Sequence, residues 1–249
     1  MAEIRSHLTN APITEALIDL QIKSAEPISI DRIRHLADQV DGYEIQGPMY
    51  KLQTKWKLSP EDGATHDSTL DEQGLRLRSS DEKIILQVRT NGLTVSRLEP
   101  YETWSALVAE SKRIWHQYVS ELCPSCVTRV ATRYINNLKL PMKPGEHFRE
   151  YLTCPPELPD ELPQGLASFL MRFVIPDPES ETQANLVQKL DGGPVPADFV
   201  PIVLDIDAYK MVSFRPDSDE AWELLEKLRA YKNRLFYASL TEKSVSIYE

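Results

Sequence analysis

Hydrophobic and polar residues alternate with a period of two along much of the chain, and this spacing predicts β-strands. The alternating runs are 15–23, 49–58, 74–79, 83–90, 93–98, 127–140, 165–175, 183–190 and 200–213. Between the second and third of these runs, SPEDGATHDSTLDEQ (59–73) is interpreted as an acidic loop, and TNGL (90–93) as a hairpin turn. The middle of the first half is therefore expected to be an antiparallel meander.

Three longer segments place apolar residues at helical spacing instead, and they predict amphipathic helices at 29–40, 101–122 and 218–240. Ser29 is expected to cap the first helix, and Asp217 or Ser218 the last. The pair Cys123-Pro124 is expected to end the middle helix, since proline cannot continue it. A shorter helix is expected at 146–152.

Both halves of the chain show a similar order of elements. In each half a leading strand is followed by a helix or helix-like connection and by antiparallel strands that end in a hairpin. A long helix that opens with a tryptophan, Trp104 or Trp222, then completes the half. The pattern predicts an α+β fold with antiparallel sheets covered by long helices, with the option of two duplicated units sharing one core. The two units are 1–123 and 124–249, and we expect them to form one compact pseudo-symmetric domain.

Composition narrows the classes of function. The 249 residues carry a formal net charge of −10, so general attraction to phosphate backbones is disfavoured without a local basic patch. The first residues lack the pattern of a signal peptide, and no apolar run is long enough to span a membrane. A cytoplasmic protein without membrane contact is expected, and the three cysteines suit a reducing compartment.

Arginine is unusually frequent on the predicted strands. In RVATRYINNLKL (129–140), alternation puts Arg129 and Arg133 on one face, and the strand at 74–79 likewise carries Arg76 and Arg78 on one face. A shared arginine face would bind an anion. The alternative is cross-strand ion pairs with carboxylates such as those of Asp19, Asp205 and Asp207, which need no ligand.

Further polar residues also allow two interpretations. Thr132 and Asn136 lie on the mostly apolar face of the same strand, where they either bond the backbone or line a polar pocket. Asn233, Ser239 and Thr241 belong to the C-terminal segment YKNRLFYASLTEK, where they either end the helix or complete a site with the basic strand.

Motifs for metal, redox or catalytic chemistry are weak. CPSC (123–126) lacks the further paired ligands of a zinc site, and it closes a helix instead of opening one as a redox motif does, so it is interpreted as a helix-to-strand corner. Asp205 and Asp207 share a strand face, and solvation is favoured over a metal or catalytic pair. No cofactor and no metal are expected, and a non-enzymatic role is favoured.

Three stretches carry a family resemblance: NAPITEALIDLQ (10–21), RVATRYINNLKLP (129–141) and LRAYKNRLFYASLTEK (228–243). Together with QVRTNGLTVSRLEPYETW (87–104) and RIWHQY (113–118), they resemble a sporadically distributed family of prokaryotic proteins of about this length, for which no reaction is established. The resemblance implies recurrent positions without roles: Asn10, Pro12, Glu15, Arg129, Arg133, Tyr134, Asn136, Asn233, Phe236, Ser239, Thr241 and Glu242. Sporadic distribution implies an association with defence or toxin-antitoxin gene clusters.

The resulting expectation is a binding or assembly protein, an accessory or regulatory subunit of such a system, that engages a protein partner and an anionic ligand. A homo-oligomer is left open. The alternative is a nucleotide- or nucleic-acid-binding protein that uses an arginine-rich strand face. The candidate ligand-binding residues for either function are Arg76, Arg78, Arg129, Arg133, Asn136, Asn233, Ser239 and Thr241. A small-molecule pocket between the sheet and the long helices is a third hypothesis.

Overall fold

The computed structural model describes residues 8–59, 63–143, 145–190 and 199–249, with the backbone alone at 54–59 and 63–67. The described residues form nine strands and four α-helices. In chain order these are β1 (Ile13–Lys23), α1 (Ile30–Asp38), β2 (Tyr43–Ser59), β3 (Gly63–Ser79), β4 (Ile84–Arg89), β5 (Gly92–Leu98), α2 (Trp104–Leu122), β6 (Cys126–Leu140), β7 (Phe169–Asp177), β8 (Thr182–Leu190), β9 (Val200–Phe214), α3 (Glu220–Ala238) and α4 (Glu242–Val245). A single 3-10 turn, Phe148–Glu150, lies where the short helix at 146–152 was expected.

All nine strands belong to one antiparallel sheet with the order β2-β3-β4-β5-β1-β6-β9-β8-β7. The strands of the two halves of the chain meet at the pair β1 and β6, where Ile18 stands opposite Thr132. The hydroxyl of Thr132 donates to the carbonyl of Leu17 across this pair, at 3.0 Å. One continuous set of backbone hydrogen bonds therefore runs through both halves.

The two faces of the sheet differ in character. On the helix-side face, α2 packs against β1 and β5 while α3 packs against β6, β8 and β9. The strand side chains on this helix-side face include Ile18, Val130 and Leu204, which are essentially inaccessible to solvent. The burial of each contributes about 1.5 to 3 kcal/mol to the stability of the fold. The residues between them point to the opposite side, which we call the polar face because it bears Asp19, Arg129 and their neighbours.

The predicted fold class is wrong. We expected an α+β fold in which long helices cover antiparallel sheets, with the option of two duplicated units sharing one core. The chain instead forms mostly one large nine-stranded antiparallel sheet, 44% strand against 25% helix, with four short helices. The physical reason is that β1 and β6 satisfy each other's backbone edges, which joins the strands of both halves into a single sheet. The division at 123/124 falls between α2 and β6, and the interpretation of the halves as two units stays a prediction.

The acidic stretch 59–73 was predicted as a loop, and this prediction is wrong for the residues from Gly63 onward. β3 begins at Gly63 and pairs with β2 in an unbroken ladder from Ser59↔Gly63 to Leu52↔Leu70. Pairing with a neighbouring strand satisfies the backbone of a polar segment, whereas composition reports only the solvation of its side chains.

The two helix-cap predictions have different outcomes. Ser29 caps α1 as expected. The residue before α3 is Asp219, not Asp217 or Ser218, and its side chain makes no cap hydrogen bond.

Candidate functional site

Asp19 on β1 is the centre of a cluster on the polar face. Its Oδ1 accepts hydrogen bonds from Arg89 Nη2 at 2.6 Å and from Thr94 Oγ1 at 2.7 Å, and its Oδ2 accepts from Arg129 Nη1 at 2.9 Å. Its side chain is 11% exposed. A carboxylate in such a place is stable because both of its oxygens are satisfied by charged or hydroxyl donors.

The cluster continues from β6 towards the edge of the sheet. Arg129 Nη2 bonds both carboxylate oxygens of Asp207 on β9, at 3.1 and 2.9 Å, and its guanidinium lies 4.5 Å from the ring centre of Tyr209. The amide of Asn185 on β8 lies within 3.4 Å of the same carboxylate, and Arg172 on β7 donates to Asn185 Oδ1 at 3.0 Å. Hydrogen-bonded side chains thus cross seven neighbouring strands. We call them the polar row: Arg89, Thr94, Asp19, Arg129, Asp207, Asn185 and Arg172.

Arg133 lies one repeat along β6 from Arg129 and forms a separate ion pair. Its Nε and Nη2 bond the two oxygens of Asp205 at 2.8 and 2.5 Å, in the two-point geometry that suits a guanidinium and a carboxylate. These hydrogen bonds raise the pKa of Arg133 above its ordinary value. The Arg133 side chain remains 42% exposed, so one edge of the guanidinium faces solvent.

Strand register brings these residues together. Arg133 stands opposite Asp207, and Asp205 stands two residues along on the same face of β9, within diagonal reach of an arginine. The alternation in the sequence correctly placed Arg129 and Arg133 on one face. The structure shows that this face also holds the aspartates, so the guanidinium groups of both arginines are engaged by carboxylates of the chain itself.

Arg76 and Arg78 lie on the polar face of β3, far along the sheet from β6. The side chain of Arg78 donates to the carbonyl of Glu82 at 3.2 Å. Arg76 is exposed, stands opposite Gln87, and has no bonded partner among the residues that the structure describes. The strand order separates β3 from β6 by β4, β5 and β1, so Arg76 and Arg78 do not join Arg129 and Arg133 in one compact cluster.

The remaining candidates lie on the helix side. Asn136 is 2% exposed, and its Nδ2 donates to the carbonyl of Leu204 at 2.9 Å, so it bonds the backbone of the neighbouring strand. Ser239 ends α3 and donates back to the carbonyl of Leu235 at 2.7 Å. Neither side chain can reach the polar face, because the sheet itself lies between.

Thr241 is the N-cap of α4, where its Oγ1 accepts from the backbone of Ser244 at 3.3 Å and donates to the carbonyl of Glu150 at 2.7 Å. Asn233 is half-buried on α3. The C-terminal residues therefore belong to helix ends and to the packing around the 3-10 turn, and the structure does not bring them to the arginine strand. Their role in ligand binding stays a prediction.

The candidate metal ligands and the cysteines are scattered in the described part of the chain. There, no group of three or more histidine, cysteine or acidic residues could hold a metal ion. Cys123, Cys126 and Cys154 are free thiols. Cys123 is the left-handed C-cap of α2, which agrees with its interpretation as a helix-to-strand corner.

A polar cavity of about 330 Å³ lies in the proline-rich passage between β6 and β7. Glu146, His147, Arg149, Glu157 and Asp160 are among the side chains that line it. It is not between the sheet and the long helices, where the third hypothesis placed a small-molecule pocket. Charges of both signs line it, and they single out no class of ligand.

Lys232 is a buried lysine that was not among the candidate residues predicted from the sequence. It is 7% exposed on α3, and its Nζ lies 3.5 Å from the ring centre of Tyr134 on β6. Burial, and to a lesser extent the charge of Arg229, lowers the pKa of Lys232 to about 7. The signal was present in the sequence, because Lys232 follows Leu225 and Leu228 at the spacing of the buried stripe of α3.

The long β2 and β3 hairpin is the second missed feature. β3 pairs with β4 only from Gly74 to Arg78, whereas its pairing with β2 continues to Gly63. We call residues 50–59 and 63–72 the β2–β3 arm. Among the described residues, the strands of this arm pair only with each other.

The arm exposes apolar side chains on one of its faces. Leu52 and Leu70 stand directly opposite each other and are 63% and 69% exposed, and Tyr50, two residues from Leu52, is 57% exposed. Glu72, opposite Tyr50, bonds Arg34 of α1 at 2.9 Å. This contact shows that the apolar side of the arm continues the helix-side face of the sheet beyond the reach of α1.

Comparison with protein-family models and with curated proteins finds no match to this chain. Among the described residues, no helix is long and apolar enough to cross a membrane. The candidate sites are thus defined by the geometry above.

Proposed function

We propose that the chain is a non-enzymatic binding protein that engages a protein partner through the apolar face of its β2–β3 arm. The observation that carries this proposal is the exposed pair Leu52 and Leu70, whose side chains stand opposite each other in register on the arm. Contiguous exposed apolar side chains on a soluble chain mark interaction surfaces.

The energetics of the arm support a bound state. A two-stranded hairpin by itself is marginally stable in water, because its apolar face gains nothing from burial. On the arm this face holds Tyr50, Leu52 and Leu70 beside Glu72, while Lys51 and Asp71 stand opposite each other on the other face. A partner that covers the apolar side would supply the missing burial, at about 25 cal/mol for each Å² of apolar surface removed from water.

The charge pattern favours a protein over a nucleic acid at this surface. The opposed residues Lys51 and Asp71 neutralise each other, so the described part of the arm offers no excess of positive charge. Nucleic-acid binding draws most of its affinity from cationic contacts to phosphate, whereas protein interfaces bury aromatic and aliphatic side chains at their centre. Tyr50, Leu52 and Leu70 suit the second kind of partner.

The same proposal covers the role as an accessory or regulatory subunit of a prokaryotic defence or toxin-antitoxin system, which the family resemblance implies. An assembly subunit of this kind needs an exposed surface and no reaction centre, and the arm supplies such a surface. The identity of the system rests on the resemblance alone.

The alternative, a nucleotide- or nucleic-acid-binding face, is supported by the exposed edge of Arg133 and by the exposed Arg76. It has less support than the arm, because Asp205 engages Arg133 from two atoms and Arg129 is shared between Asp19 and Asp207. An incoming phosphate would have to displace these carboxylates or tolerate them. We therefore keep this function as the second candidate.

The test of the arm is affinity capture with matched variants, followed by measurement with the purified partner. Leu52→Lys and Leu70→Lys place a charge on the apolar face of the arm. Leu162→Lys is the control, because it places the same charge on a loop residue that is 50% exposed. We expect the arm variants to lose the captured partner and to weaken its affinity at least tenfold, while the loop variant retains it. Equal capture by all three variants would show that the partner binds elsewhere.

A further inference from the structure

The two edges of the sheet differ in how they are protected against pairing with another strand. The register between β2 and β3 shifts twice, at Ile45/Gly47 and at Met49/Tyr50, and β2 carries the exposed Lys51. Bulges and lysines of this kind are the devices by which proteins keep an edge strand from adding a neighbour. The β2 edge is thus discouraged from pairing.

The β7 edge lacks most of this protection. Its nine residues pair with β8 in an unbroken register, and among the described residues β7 pairs with no other strand. Leu170 is 67% exposed and Val174 is 55% exposed, both on the polar face, while Phe173 on the other face is 36% exposed. A regular, apolar and uncovered edge strand is a template for an additional strand.

The available part of this edge is its first six residues. At the C-terminal end, the carbonyl of Ile175 already accepts a hydrogen bond from the hydroxyl of Tyr231 at 2.8 Å. Asp177 is held by Arg234 of α3 at 3.0 Å. An added strand would therefore pair with residues 169–174.

We propose that β7 pairs with β7 of a second copy of this chain, in antiparallel orientation, so that the two sheets become continuous. Two copies repel each other at long range because each carries a net charge of −10. Residues 169–176 contain a single charged side chain, Arg172, and no acidic one, so this edge is a place where two acidic chains can approach without opposing carboxylates. Arg172 is already bonded to Asn185 and needs no acid from the partner.

Strand geometry limits the register. In the continuous sheet, the polar faces of both copies lie on the same side. The twofold axis then passes where one residue of β7 stands opposite the same residue of the second copy, and directly opposed residues share a face. An axis at Arg172 would oppose the two guanidinium groups, whereas an axis at Met171 or Phe173 places Arg172 beside Leu170 or Val174. The apolar side chains of the edge are covered in either of these two registers.

This inference does not rest on the proposed function of the arm. β2 and β7 are the two opposite edges of the nine-stranded sheet, so a dimer through β7 leaves the arm of each copy free. The dimer would present two arms to a partner, which raises the apparent affinity for a partner with repeated sites.

The test is the mass of the purified full chain in solution, measured by sedimentation velocity and light scattering over a dilution series. The wild-type chain of 28.4 kDa is expected to sediment as a dimer. Val174→Lys and Leu170→Lys place like charges near the twofold axis and should raise the dimer dissociation constant at least tenfold. Leu162→Lys, the matched loop control, should leave it unchanged, as should Leu52→Lys on the arm.

Three results would overturn the proposal. The first is a wild-type chain that stays monomeric throughout the dilution series. The second is a dimer that survives both β7 substitutions while the melting temperature shows that the variants are folded. The third is a dimer that Leu52→Lys dissociates, since association would then run through the arm. Capture of the protein partner by the β7 variants reports on the arm separately, so the two proposals can fail independently.

Discussion

Arg129 on β6 bonds Asp19 on β1, with 2.9 Å between Nη1 and Oδ2, across the pair of strands at which the two halves of the sheet meet. The same guanidinium bonds Asp207 on the far side of β6. One arginine therefore ties three adjacent strands on the polar face, while the apolar core ties them on the other. The polar row stabilises the join between the halves, and this role predicts measurable consequences for stability.

Asp19→Ala is expected to destabilise the fold by about 2 to 4 kcal/mol, because it leaves Arg89 half-buried without its carboxylate and removes one of the two carboxylates that bond Arg129. Urea unfolding measures the change. Asp217→Ala is the matched control, since its partner Arg215 is 79% exposed, and it should cost less than about 1 kcal/mol. Similar losses in the two variants would contradict a special role for the polar row.

Arg133→Ala separates the structural interpretation of the arginine strand from the anion-binding one. We expect the variant to melt a few degrees lower, about 2 to 4 °C for each kcal/mol lost in a chain of this size, with no change in ligand response. Melting with nucleotides and short nucleic acids at low and high salt checks this. A salt-sensitive stabilisation of the wild type that Arg133→Ala lacks would instead support the second candidate function.

Lys232→Met should change the dependence of stability on pH. Because burial lowers the pKa of Lys232 to about 7, the unfolded chain holds a proton between about pH 7 and pH 10 that the folded chain has released. Wild-type stability therefore rises with pH in this window, by about 1.4 kcal/mol per pH unit from this group. The variant lacks this contribution.

The stability difference between Lys232→Met and the wild type is the quantity to measure, by urea unfolding from pH 6 to pH 9.5. We expect the advantage of the methionine variant to be largest below pH 7, where the charged lysine is buried, and to shrink as the pH rises. A difference that does not vary with pH would show that Lys232 titrates alike in the folded and unfolded chains.

Asn136→Ala should lower stability by about 1 to 3 kcal/mol, because it removes a buried hydrogen bond to the carbonyl of Leu204. Asn233→Ala, at a half-buried position of α3, should stay within about 0.5 kcal/mol of the wild type. Neither substitution is expected to weaken capture of the protein partner. Loss of the partner in a stably folded Asn233→Ala variant would restore this residue as a binding candidate.

Some of the candidate site was predictable because it depends on local spacing. The period of two separates Arg129 and Arg133 from Asn136 on β6 whatever lies beside that strand, and the structure shows this separation. The sequence named Asp19, Asp205 and Asp207 as possible partners of the two arginines, but it could not decide the pairing. The partners of Arg129, Asp19 and Asp207, are 110 and 78 residues away along the chain. The sequence alone favoured ion pairs and left an anion site open as the alternative.

What the sequence determined by itself is what backbone sterics and short-range periodicity decide. The Ser29 cap, the end of α2 at Cys123 and the apolar stripes of α2 and α3 belong to this class. Tertiary structure alone decided the single nine-stranded sheet, the strand character of residues 63–73 and the uncovered β7 edge. Each of these depends on which strand or helix lies alongside, and backbone hydrogen bonds pair any two strands whatever their composition. Neighbour choice is therefore settled by the sum of contacts over the whole chain, which no local pattern contains.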